Sequence, residues 1–288
     1  MASIKELRLR IKSLKNTNKI TAAMKLVATS KLKKSQDAMK ANKPFSDKLN
    51  EMLQRVVGNL NTSEVNHPLL AERPVKKTRY YLFSSDKGLC GGFNNGLIKY
   101  FTKTVDMSSD FEVHTVGKKV NDHFSRLPEF SIAKDFGALT KTLDESELKV
   151  LVDEAIQDYI DGKIDQVVVV FNEFESVLAQ NPTMKTLLPV SAPSTEEGPS
   201  SDTEYIYEPS AQELLSDLLP RYVYVLFYQT LLENAAGEHG ARMTAMDNAT
   251  NNSRDLIDSL TIVMNRARQA AITTELTEIV SGAESLKG

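Results

Sequence analysis

Two helix-forming runs, one at each end of the chain, constrain its fold more than any other feature. From Ile4 the apolar residues Leu7, Ile11 and Leu14 follow at 3-4-3 spacing, and after the polar stretch KNTNK the pattern resumes at Ile20, Met24 and Val27. Apolar residues that return every three or four positions line one helix face. The spacing predicts one long helix to about residue 57, with its stripe shifted at KNTNK and Pro44 placed to bend it. At the other end, residues 210 to about 286 are helix-forming nearly throughout, and Leu256, Leu260, Val263, Ala267, Ala270 and Thr274 recur at 4-3-4-3-4, a coiled-coil seam. Pro220 is expected to kink this helix, and Gly237 and Gly240 each weaken it by about 1 kcal/mol relative to alanine. At about 1.5 Å per residue the two helices would run roughly 80 and 110 Å, beyond any ordinary globular domain.

The first helix does not stabilise itself. Lys5 and Arg8, Arg8 and Lys12, Lys12 and Lys15, and Lys15 and Lys19 are like-charged neighbours, each pair costing about 0.2–0.5 kcal/mol. A partner has to hold the helix, and the run at the far end of the chain is the candidate. Between the two, residues 79 to 85, 111 to 116, 130 to 136 and 166 to 171 read as strands, and residues 93 to 104, 118 to 127 and 143 to 160 as helices. That alternation predicts an α/β domain with a largely parallel sheet. The polar segment 191 to 210, rich in Pro, Gly and Ser, leads into the last helix. The expected boundaries are an N-terminal helix over 1–60, a linker over 61–75, an α/β domain over 76–208 and a C-terminal helix over 209–288.

Charge is unevenly shared. Residues 1 to 43 hold twelve basic side chains against Glu6 and Asp37, and the other 245 residues hold 23 basic against 36 acidic. A basic arm of this kind suits nucleic acid phosphates, an anionic membrane surface or an acidic protein surface, and the commonest outcome for so charged a helix is simply a solvated face. The first 43 residues contain no Phe, Tyr or Trp to stack on bases, which argues against nucleic acid. No apolar run approaches the roughly 20 residues of a membrane span, and the opening MASIKELRLRIKSL reads as mature structure rather than a leader. The single Cys90 excludes an intrachain disulfide framework and any multi-cysteine metal site, and fits a reducing cytosolic compartment. His67, His114, His123 and His239 lack metal-ligand spacing.

The stretch LFSSDKGLCGG, residues 82 to 92, delivers a strand into a glycine-rich loop and a helix, the arrangement of phosphate-cradling loops. The fingerprints fail, however. Cys90 stands where a dinucleotide-binding loop needs its second glycine, the second strand ends in VGKK rather than an acid, and neither GLCGG nor GKK supplies a P-loop. The loop reads as a tight turn with Cys90 as a small buried hydrophobe; a nucleotide-binding α/β enzyme using residues 86–92 is the alternative. Met24 reads as seam packing, and Arg268 and Gln269 either as a solvated helix face or as hydrogen-bonding groups for a surrounding protein.

IKELRLRIKSLKNTNKITAAMKLVATSKLKKSQ at the start, DKGLCGGFN in the middle and NRARQAAITTELTEIVSGAESL at the end resemble the gamma subunit of the rotary proton-translocating ATP synthase, bacterial type. The likeness covers nearly the whole chain, and ITTELTEIVSGA is the family's signature. It implies an α/β fold plus a long antiparallel coiled coil, the terminal helices forming a shaft beside a central Rossmann-like domain. In that family the shaft is the axle within a hexamer of alternating alpha and beta subunits, with its foot on the membrane proteolipid ring. It turns with the ring and forces the catalytic sites of its neighbours through different nucleotide affinities, with no catalytic residue, cofactor or metal of its own. The resemblance implies contact with the beta subunit by Arg268, Gln269 and Thr273 near the axle tip, by Met24 and Lys25 where the axle passes acidic beta-subunit levers, and by the basic belt Lys31, Lys33 and Lys34. Tyr205, Tyr207 and Glu208 are implied to meet the epsilon subunit and the ring. It further implies a peripheral place at the cytoplasmic face of the bacterial membrane, reached only through the ring, and no nucleic acid partner. The chain departs from the family at Pro220, and it lacks the cysteine-bearing insertion of the chloroplast form, so no thiol switch is expected.

Overall fold

The computed structural model describes residues 3–58, 67–137, 139–142, 144–191 and 210–285. They fall into two compact units, one made of Met1–Ala28 with Met243–Gly288, the other of Thr29–Arg242. Two helices pass through both units, α1 (Ile4–Gly58) and α6 (Ala211–Ser285). Pro44 and Pro220 both lie inside these continuous helices.

Helix α1 opens on a capping box that the periodicity alone did not reveal. The Ser3 N–H donates to Glu6 Oε2 at 2.9 Å, and the Glu6 N–H donates to Ser3 Oγ at 3.2 Å, so two amides at the helix start are satisfied reciprocally. In the first unit, α1 turns a regular 4-3 line inward: Leu7, Ile11, Leu14, Asn18, Thr21, Lys25 and Ala28. The opposing line on α6 is Met246, Thr250, Ser253, Ile257, Leu260, Met264, Ala267 and Ala271. Cross-helix bonds join Asn18 to Thr250 and Lys25 to Asp247, so the pair is antiparallel.

Two expectations about the seam are corrected here. The stripe of α1 does not shift at KNTNK. Ile20 and Val27 are 60% and 58% exposed, while the polar Asn18, Thr21 and Lys25 keep the heptad register. On α6 the true seam keeps Leu260 and Ala267 of the expected line and otherwise lies one residue further on. Leu256 and Val263 are about half exposed, and Ala270 and Thr274 face outward. The physical reason is the same on both helices: polar residues paired across the interface hold positions that hydrophobicity alone assigns to apolar neighbours.

The second unit is a doubly wound domain. Its strands are β1 (Lys77–Phe83), β2 (Asp110–Val116), β3 (Ile132–Asp135), β4 (Gln166–Phe174) and β5 (Gln180–Leu188), in the order β3-β2-β1-β4-β5. The first four run parallel, and β5 returns antiparallel beside β4. Strand β5 escaped the sequence pattern because its first half, QNPT, carries no β-branched or aromatic signal before Thr183. The shorter helices are α2 (Phe93–Thr104), α3 (Lys118–Phe124), α4 (Leu139–Thr142) and α5 (Glu145–Ile160).

Each sheet face has its own core. On one, Leu82, Val113, Val168 and Val170 meet Leu97, Phe101, Val120 and Phe124 of α2 and α3. On the other, Tyr81, Phe83 and Val169 pack with Leu148 and Val152 of α5, Leu49 and Leu53 of α1, and Leu219, Val223 and Phe227 of α6. Strands buried on both faces read as near-continuous apolar runs such as QVVVVF. The helices that carry the seam therefore also form one layer of this domain.

Candidate functional site

Strand β1 leaves the sheet through Ser84 and Ser85, both fully buried, into the glycine loop. Ser85 and Asn94 tie the two ends of the loop together: the Ser85 N–H donates to Asn94 Oδ1 at 3.0 Å, and Asn94 Nδ2 donates to Ser85 Oγ at 2.8 Å. Asn94 Nδ2 also lies 3.2 Å from the buried Cys90 sulfur. Leu89 and Gly91 have φ of 62° and 58°, the left-handed conformation that closes so tight a turn. The turn reading of the loop agrees with this geometry.

In an open α/β sheet a ligand sits beyond the carboxyl ends of the strands, where strand order reverses. Here that place in front of α2 is taken by α6. Asn234 Nδ2 donates to the Ser84 carbonyl at 3.3 Å, and Arg242 donates through Nη2 to the Lys87 carbonyl at 2.9 Å and through Nε to the Gly88 carbonyl at 3.3 Å. Gly237 lies so close that an added Cβ would stand 3.0 Å from the Phe93 ring. Arg242 is held in turn by Glu238 at 2.6 Å. Burial raises the Glu238 pKa, with the Arg242 charge opposing it. Sequence reasoning missed Asn234 and Arg242; the only local signal was the i, i+4 pair in EHGAR.

The first unit distributes the sequence-derived partner residues into two groups. Met24 and Lys25 are half-buried on α1, and Lys25 Nζ stands 2.7 Å from Asp247 Oδ1. Arg268, Gln269 and Thr273 are exposed on α6, with the Thr273 hydroxyl donating to the Gln269 carbonyl at 3.0 Å. Asp247 and Arg268 are separated along the helix by roughly 30 Å, so the structure does not bring these groups together. In the second unit Lys31, Lys33 and Lys34 are exposed on α1. Tyr205, Tyr207 and Glu208 lie outside the described residues.

The end of α6 carries the clearest signal. The antiparallel register brings the first turn of α1 level with residues 264 to 268 of α6. From Gln269 to Glu284 every α6 residue except Ala271 is exposed, including Ile272, Leu276, Ile279 and Val280. Further up the pair, Ile20, Leu26, Val27, Leu256, Ile262 and Val263 also face out. Among the described residues nothing covers these side chains. Exposed apolar side chains clustered in this way mark an interaction surface.

A doubly wound domain whose ligand crevice is filled by its own helix, joined to a helical pair that presents apolar side chains outward, defines a class of protein built from two long terminal helices and one α/β domain. The sequence comparisons agree. A family model described as ATP synthase matches residues 3–286. The ATP synthase gamma chain of Pelotomaculum thermopropionicum is 44% identical over 288 residues, covering all of both chains, and that of Desulforamulus reducens is 44% identical over 287 residues, again covering both. A chain of the Euglena gracilis mitochondrial ATP synthase shares the fold at a TM-score of 0.68 and 16% identity, over 98% of this chain and 94% of that one. The chain belongs to the ATP synthase gamma chain family.

Proposed function

We propose that the chain is the central-stalk rotor of a bacterial ATP synthase, transmitting rotation of the membrane proteolipid ring to the alpha/beta hexamer. The observation that carries this reading is the first unit. Its narrow seam mixes apolar residues such as Leu7, Ile11 and Met246 with polar pairs, a second set of large apolar side chains faces outward, and among the described residues nothing covers α6 beyond Ala271. A sleeve of other subunits would cover that surface. A shaft lopsided in this way makes different contacts with each catalytic subunit as it turns, and only differential contact can shift their conformational populations.

On this reading the chain has no active site of its own. Its partners are the alpha and beta subunits around the helical pair and the epsilon subunit and ring at the other end. Arg268, Gln269 and Thr273 would bond to a beta-subunit loop near the tip, and Met24, Lys25, Lys31, Lys33 and Lys34 would face acidic beta-subunit segments. Tyr205, Tyr207 and Glu208 would meet epsilon and the ring. The complex would place the chain at the cytoplasmic face of the membrane, touching it only through the ring.

The test is assembly. Mixed with alpha and beta subunits, the full chain is expected to give one copy per hexamer by native mass spectrometry and to restore coupled ATP synthesis in vesicles carrying the ring. Arg268→Glu with Gln269→Glu is expected to weaken assembly or uncouple proton flow from synthesis. Failure of the unmodified chain to co-assemble would sink the reading; unchanged coupling in the double variant would remove those two residues from it.

A further inference from the structure

The second unit contains a cavity of about 580 Å³ between α1, α6, α4 and the start of the glycine loop, well within the size range of small-ligand sites. The α6 residues that line it are Tyr228, Leu232, Ala235, Glu238 and His239, set apart from the Asn234 and Gly237 positions that press on the sheet side. It shares Lys87 and Glu238 with the Arg242 contacts through which α6 fills the crevice, and Lys31, Lys34, Ser35 and Ala38 of α1 form its other wall.

Three ammonium groups border it: Lys31 and Lys34 from α1, and Lys87 from the loop. Among the described residues none of the three makes a direct ion pair or side-chain hydrogen bond, although the Lys31 charge is felt at Glu238. Of the two carboxylates on the cavity wall, Glu238 is taken by Arg242, and Asp86 Oδ1 accepts the Lys118 N–H at 3.1 Å. Arg242 and Glu238 balance one another, which leaves three lysines against the Asp86 carboxylate. The field is visible at His239, whose pKa is pressed down to about 4 by burial and then by the charges of Arg242 and Lys31. The remainder of the lining mixes hydroxyls, Ser35 and Thr140, with an apolar floor of Ala38, Leu232 and Ala235.

Three exposed lysines around a partly open cavity outnumber the carboxylates of its wall once Arg242 has balanced Glu238, and a compact multivalent anion would relieve their mutual repulsion. We propose that this cavity binds a condensed phosphate group, carried either by free inorganic polyphosphate or by a nucleoside di- or triphosphate. The glycine loop would contribute the Lys87 side chain rather than its backbone amides. Lys31 and Lys34 are also residues that the rotor reading turns toward acidic beta-subunit segments, so in the assembled complex the phosphate and those segments would compete for them.

Calorimetric titration of the full chain with tripolyphosphate tests it. Saturable binding is expected at a stoichiometry of one, weakening with added salt. Lys31→Gln with Lys34→Gln is expected to weaken it by about tenfold or more, and Lys87→Gln comparably. Lys33→Gln is the control, since Lys33 shares the helix but not the cavity; its affinity should be unchanged. ADP binding tighter than pyrophosphate would identify a nucleotide as the source, and equal binding a free condensed phosphate, both in support. No saturable binding, or equal weakening by Lys33→Gln, overturns the site. It is also overturned if the cavity variants lose affinity only for the alpha/beta hexamer, which would make the cavity a seat for an acidic protein segment. The rotor reading fails on a different result, the absence of assembly by the unmodified chain.

Discussion

The same two helices behave differently in the two units. In Thr29–Arg242 they join a deep apolar cluster, with Leu53, Leu219 and Phe227 wholly buried against the sheet and α5. In the unit formed by the chain ends they meet along a narrow line in which Asn18, Thr21 and Thr250 bond to one another. Burial of apolar surface supplies most folding free energy at about 25 cal/mol per Å², so the first arrangement holds itself together. The second uses polar residues for register, buries a single line of apolar ones such as Leu7, Ile11 and Met246, and leaves many of the others exposed. A single polar residue at a core heptad position fixes alignment and orientation at some cost in stability, and Asn18 and Lys25 both occupy such positions. The lesson is that stability and specificity have been assigned to different lengths of one helix pair.

The comparison breaks most readily at Arg242. Arg242→Met leaves the Glu238 carboxylate buried without its partner, and the loss of one member of a buried pair is expected to cost about 3–5 kcal/mol in urea unfolding. Burial already raises the Glu238 pKa above its unfolded value. A carboxyl raised on folding binds its proton more tightly in the native state, so stability falls as pH rises through that interval. The variant should therefore be more destabilised at pH 8 than at pH 5. Adding Glu238→Leu should recover most of the loss, and failure to do so would show that Arg242 acts through the Lys87 and Gly88 carbonyls instead. Next in size comes Leu53→Ala, which opens a void in the fully buried cluster and is expected to cost about 2–5 kcal/mol.

Much of the second unit was legible in the sequence because its rules are local. QVVVVF is a strand buried on both faces, and alternation of strands with helices allows few topologies. Strand β5 was not legible: it forms because β4 offers an edge, and its residues carry little preference of their own. In the helical pair, periodicity found the helices but placed the α6 seam on Leu256 and Val263 instead of Ile257 and Met264. The apolar face is wide enough for two parallel lines at 4-3 spacing. Which one faces α1 is decided by where Thr250 and Asp247 find Thr21 and Lys25, and such pairs are separated by more than two hundred residues. Asn234 and Arg242 were hidden for the same reason, since their acceptors are backbone carbonyls, which no residue type announces.

Changes to the seam of the first unit should be milder. Thr250→Val removes the hydroxyl that bonds Thr21 at 2.7 Å and leaves that partner short of one bond in a buried position. The expected cost is about 1–2 kcal/mol, and Thr21→Val in the same chain should return part of it, because two apolar groups of matching shape need no hydrogen bond. If the double variant is instead the least stable of the three, the hydroxyl pair contributes more than its net bond and the seam is a cooperative polar network. Chemical denaturation followed by circular dichroism, which reports the long helices, separates these outcomes.

The smallest effect belongs to Lys25 and Asp247, and it sharpens the contrast best. Their 2.7 Å separation suggests strength, but the side chains are 40% and 44% exposed, so solvent screens the pair and ordering two flexible side chains offsets much of the attraction. A double-mutant cycle with Lys25→Met and Asp247→Asn is expected to give a coupling of under about 1 kcal/mol, falling further in 1 M salt as the screening length shrinks to about 3 Å. In the buried Glu238–Arg242 pair the same cycle should keep most of its coupling at that salt concentration. A large, salt-insensitive coupling at Lys25 would mean that this stretch of the seam is dry and held by its charges. Such a unit would not need an outside partner for its stability, and the division of labour between the two units would have to be abandoned.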